Sequence, residues 1–159
     1  MPVQSLFHAA VKTADLERSR RFYCGVLGLS VVPRPPLDFP GLWLAAPGFE
    51  RQPLIHLYAG DAAREPDGGF ASGTGALDHL SILARDFAGF RDTFREHGLS
   101  WRENVLREAG LWQLFVYDPS GLLVELTFRA NEEVISEPVV ADGLQYRPAE
   151  IFFASHQYS

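Results

Sequence analysis

The chain has 159 residues, 47% of them hydrophobic and 21% charged, which is the balance of a globular protein with length for one domain or two small modules. Its net charge of −6 comes from acids scattered along the chain, which argues against nucleic acid or an anionic membrane as a partner. The single cysteine, Cys24, excludes an internal disulfide and a multi-cysteine metal site, and no run approaches the ~18 apolar residues of a membrane span.

In chain order, the opening MPVQSLFHAAV lacks the basic and apolar regions of a secretion signal, so a cytoplasmic location is expected. LFHAAV alternates as a strand does, with Phe7, Ala9 and Val11 opposing Leu6, His8 and Ala10. Asp15 reads as the N-cap of an amphipathic helix that turns Cys24 inward beside Phe22 and ends at Gly28. Short strands are expected at 29–34, 41–46 and 53–59, the last placing His56 and Tyr58 opposite Ile55 and Leu57. Residues 60–75, rich in Gly, Asp and Ala, form a linker. The same punctuation then returns. LDHLSIL sets His79 and Ser81 against Leu80 and Ile82, and Asp86 caps a helix whose stripe is Phe87, Phe90 and Phe94, with Arg91, Asp92 and Arg95 outside it. Strands at 101–105, 112–117 and 122–128 follow, the last two joined by the turn DPSG.

His8 and Asp15 recur 71 residues later as His79 and Asp86, and Gly28-Leu29-Ser30 recurs after 70 as Gly98-Leu99-Ser100. A unit of this length present twice is a duplicated module, here βαβββ. The fold class is α+β. Two modules, at about 5–60 and 76–129, make up a domain spanning 1–129. Residues 130–159 match neither half. They are polar and proline-punctuated, end in the aromatic EIFFASHQYS, and read as an extension that packs on the body or on a partner subunit.

GLLVELTF carries one charge in an apolar strand. Leu122, Val124, Leu126 and Phe128 share one face, and Leu123, Glu125 and Thr127 share the other. An unpaired carboxylate buried there would cost several kcal/mol. His8, His56 and His79 also lie opposite the apolar faces of their strands. His8 matches His79 in the repeat, and His56 nearly matches Glu125, 69 residues on. Histidines with a carboxylate on a shared cavity would bind Fe(II), Zn(II), Mn(II) or Ni(II), and the cation would compensate Glu125. His97 and His156 read as surface residues.

LFHAAV, RRFYCGVLGLSVV, FPGLWL, PLIHLYAG, LDHLSI and LFVYDPSGLLVEL together resemble the vicinal oxygen chelate superfamily, over about residues 5 to 129. That superfamily includes glyoxalase I, type I extradiol dioxygenases, fosfomycin-resistance thiol transferases and bleomycin-binding proteins. The resemblance implies paired modules forming an open, curved mixed sheet with a metal-binding cup, His8, His79 and Glu125 as metal ligands, and a substrate that chelates through adjacent oxygens. It also implies a homodimer, with modules pairing within or across chains.

Position 56 bears on the chemistry. Glyoxalase I places a glutamate there, as ligand and base, whereas the extradiol dioxygenases carry a histidine as acid–base catalyst. The expectation is therefore an extradiol-type dioxygenase with Fe(II) or Mn(II) acting on a catechol-like substrate. His56 is its acid–base group, and Tyr58 or Tyr117 is the tyrosine near the metal. The alternative is a glyoxalase I-like lyase or isomerase using Zn(II) or Ni(II) on a 2-oxoaldehyde–thiol adduct, with His56 as a possible fourth ligand. A small-molecule binding or resistance protein is a further alternative. Trp43, Trp112 and Phe115 are candidate linings of the substrate cavity.

Overall fold

Each half of the chain leads a short strand into an aspartate-capped helix, in a computed structural model that describes residues 2–158. Met1 and Ser159, the outermost residues of the expected domain and extension, lie outside them. The chain divides into two units, the first ending at Ser72 and the second beginning at Gly73.

In the first unit, β1 (Ala9–Lys12) leads to α1 (Leu16–Arg20), where the Asp15 side chain accepts from the Arg18 amide. The regular helix expected up to Gly28 is not kept. At Arg21–Val26 it widens into a π-helical turn, where the Leu27 amide reaches back five residues to the Phe22 carbonyl. The strands β2 (Ser30–Val32), β3 (Gly41–Ala45) and β4 (Ile55–Tyr58) complete a sheet ordered β1-β4-β3-β2. β1 runs parallel to β4, and the other pairs are antiparallel. The core holds Phe22, Tyr23, Leu44, Ile55 and Leu57. At Gly41 the chains approach so closely that a Cβ would stand 2.3 Å from the Leu57 carbonyl oxygen.

The second unit repeats the plan. Its elements are β5 (Leu80–Ala84), α2 (Phe87–Glu96), β6 (Trp101–Leu106), β7 (Leu111–Tyr117) and β8 (Leu123–Arg129), in the order β5-β8-β7-β6. The duplicated βαβββ module is thus present as two four-stranded mixed sheets. α2 covers one face of its sheet, with Phe87 edge-on to Trp112 and Phe128 at 5.6 and 5.2 Å. Arg91, expected to point outward, instead reaches the fully buried Glu103 at 2.9 Å.

Part of the other face is covered by the C-terminal extension. Tyr146, Phe152 and Phe153 pack on Phe115, Tyr117 and Leu123. Backbone bonds pin this segment to β6: Glu103 donates to the Leu144 carbonyl, and Tyr146 donates to the Glu103 carbonyl. Leu123 on this face lies under that aromatic cover, and both Leu123 and Glu125 are buried, as are Val124 and Leu126 on the α2 face. Among the described residues, no helix is long and apolar enough to cross a membrane.

Candidate functional site

Glu125 is only 4% exposed, and its place follows from register. It pairs with Phe115 across β7 and with Ser81 across β5, on the face away from α2. Its two oxygens have different surroundings. Oε1 accepts from the Ser81 hydroxyl at 2.9 Å and from the Thr127 hydroxyl. Oε2 faces His79 Nε2 at 2.9 Å. His79 sits just before β5, half-buried and edge-on to Phe115.

The opposite nitrogen of His79 is also held. Nδ1 lies 2.8 Å from Asp78 Oδ1, and that same oxygen accepts from the Tyr146 hydroxyl at 3.0 Å. The hydrogen bond from His79, then that from Tyr146, holds the Asp78 carboxyl below the usual range. Burial first, and Asp78 next, pushes the Tyr146 phenol up to about 12, so it stays protonated and donates. The Tyr146 ring lies flat on Phe115, with centroids 3.7 Å apart and planes at 9°.

In the first unit the register brings Trp43 and Ala10 to either side of His56. Trp43, His56 and His8 then form a three-ring stack, with centroid spacings of 4.3 and 3.8 Å. His8 precedes β1, whose ladder starts where the Ala9 amide donates to Leu54. His8 Nδ1 and His56 Nε2 are buried with no hydrogen-bond partner among the described residues. Burial, and then the charge of His8, lowers the pKa of His56, favouring the neutral imidazole. Tyr58 shares the His56 face but tilts onto Phe39 at 4.8 Å.

These donors suit a divalent transition metal. A ligand carboxylate held on one oxygen and a ligand imidazole held on its other nitrogen are what such an ion needs. The 2.9 Å between Nε2 and Oε2 also matches two donors set at right angles with bonds of about 2.1 Å. In the first unit the buried His8 Nδ1 and His56 Nε2 are orphaned acceptors or donors that an ion could satisfy. Among the described residues, no group of three or more His, Cys, Asp or Glu side chains is assembled to hold a metal. The set His8, His79 and Glu125 draws on both units, so each unit's pair stands by itself.

Phe115 and Tyr117 share the Glu125 face, and Tyr117 is enclosed by Phe152 and Phe153. Burial raises the Tyr117 pKa, with the Asp78 charge second. Trp112 does not line that face. Its register with Phe128 turns it to the α2 side, into the core. Asp78, Ser81, Thr127 and Tyr146 were not expected in the site. Ser81 and Thr127 follow from strand parity, and Asp78 from its adjacency to His79. Tyr146 lies in a segment without periodicity and carries no such signal.

The model of the Glyoxalase/Bleomycin resistance protein/Dioxygenase superfamily matches residues 5–126. A relative from Arabidopsis thaliana named Glyoxylase I 4 is 30% identical over 128 residues, covering 77% of this chain and 69% of its own. A Synechocystis sp. relative named "Probable lactoylglutathione lyase" is 26% identical over 133 residues, covering 76% of this chain and 92% of its own. The crystal structure of lactoylglutathione lyase from Agrobacterium tumefaciens superposes with a TM-score of 0.60 at 18% identity, over 82% of this chain and 98% of that one. That last likeness is one of fold.

Proposed function

Because the chain belongs to the Glyoxalase/Bleomycin resistance protein/Dioxygenase superfamily, we propose that it is a metal-dependent lyase or isomerase of the glyoxalase type. Its substrate would be a 2-oxoaldehyde–thiol adduct or a close analogue with two adjacent oxygens. The observation that carries the metal dependence is the buried Glu125 with one oxygen turned to His79 Nε2 at 2.9 Å. The names of the two relatives favour the lyase over the dioxygenase that position 56 suggested.

In this reading His8, His79 and Glu125 hold a divalent transition metal. The ion, when bound, acts as a Lewis acid that polarises the substrate's adjacent oxygens. His56 moves the proton. Kept neutral by burial, its imidazole takes the proton from the carbon bearing the hydroxyl and the sulfur and returns it to the neighbouring carbon. The hydroxyl proton must also pass to the oxygen on the neighbouring carbon, so that the carbon bearing sulfur becomes the thioester carbonyl and its neighbour bears the hydroxyl. Trp43, only partly buried, supplies an apolar wall, whereas Phe115 is closed off by the Tyr146 ring, and the protein works as a homodimer on a small molecule.

Metal analysis of the full chain tests the ligands: His79→Ala and Glu125→Ala should each lose the ion, and unchanged content in both would misplace the site. Thioester formation from the adduct should fall by roughly 10²–10⁴ in His56→Ala with metal retained. The rate should also drop as pH falls through the depressed pKa of His56, because a protonated imidazole cannot accept. Oxygen uptake with catechols, without isomerisation, would restore the dioxygenase.

A further inference from the structure

We infer that Tyr146, carried by the C-terminal extension, is a positioning residue for His79 and acts through Asp78. The inference rests on His79 being a metal ligand. Metal-bound histidines usually donate their other ring N–H to a carboxylate, which fixes the tautomer and the ring orientation. Asp78 is placed for that role, but its side chain is 62% exposed. A carboxylate in water gains little from one neighbour and is free to rotate away.

Tyr146 removes that freedom. Its hydroxyl donates to Oδ1, the same oxygen that faces His79 Nδ1. The phenol is itself fixed twice, by its ring stacked on Phe115 and by its amide bonded to the Glu103 carbonyl. Apolar cover alone does not explain the hydroxyl. Phe152 and Phe153 cover the same cluster without one, and a phenylalanine at 146 would stack as well. The chain Tyr146–Asp78–His79 leaves Nδ1 with its proton and turns Nε2 toward Glu125. The extension is thereby coupled to metal binding.

The test uses the full-length protein with Co(II), whose absorbance reports binding. Asp78→Ala should weaken affinity about 10–100-fold. Tyr146→Phe, which keeps the ring, should weaken it about threefold or more, and should add nothing in the Asp78→Ala background. In the metal-free protein, the exchange-protected Nδ1 proton of His79 in nitrogen-edited NMR should be present in wild type and lost in Tyr146→Phe. A wild-type proton signal in Tyr146→Phe overturns the inference, whatever the affinity does. Metal binding that survives His79→Ala counts against the ligand assignment instead, and the proton signal still decides the role of Tyr146.

Discussion

Glu103 and Glu125 are both buried in the second unit, and their partners separate a structural carboxylate from a chemical one. Glu103 meets a cation and a donor, Arg91 Nε and Trp101 Nε1, both on Oε1. Glu125 meets two hydroxyls on one oxygen and an imidazole on the other. The first arrangement neutralises a charge inside the fold, and the second leaves one oxygen facing another potential ligand. Arg91→Leu should therefore destabilise the protein by about 3 kcal/mol, because it strands a buried charge, whereas adding Glu103→Leu should recover most of the loss. Chemical denaturation of the single and double variants measures both. A single variant as stable as wild type would show that Arg91 does not compensate Glu103.

Among the glycines, Gly41 in the first sheet is the one where an added Cβ would come closest to backbone. Gly41→Ala would force a Cβ against the Leu57 carbonyl on β4 and against Arg34, so β3 and β4 must separate. A loss of about 2 kcal/mol or more is expected, read from the denaturation midpoint. Because β4 carries His56 and β3 carries Trp43, the same change should disturb the three-ring stack. The strands themselves were legible in the sequence because period-two alternation and Asp or Gly punctuation are local signals. Glu125, His79 and His56 stood out as polar residues among apolar neighbours. Two features were not legible. Widening the first helix at Arg21–Val26 needs only one shifted hydrogen-bond register, which leaves no mark on composition. Tyr146 reaches Asp78 across 68 residues, beyond any local pattern. The turn of Trp112 toward α2, by contrast, follows from alternation alone, since Trp112 and Phe115 stand an odd number of residues apart on one strand and must face opposite sides.

For the whole molecule, the superfamily's habit of pairing modules gives one expectation. Light scattering of the purified protein should return twice the mass of the chain at micromolar concentration, and a monomer with full metal content would exclude the dimer. One further consequence comes from the order of synthesis. β8 is complete before Tyr146, Phe152 and Phe153 leave the ribosome, and these are the residues that cover Phe115, Tyr117 and Leu123. Until they emerge, the second sheet shows an apolar, aromatic face to its surroundings. Nascent chains in that state are exposed to aggregation and to chaperone capture. The interval between translating β8 and releasing the extension is therefore when this chain is most vulnerable, and codon usage or fusions that lengthen it should lower the soluble yield.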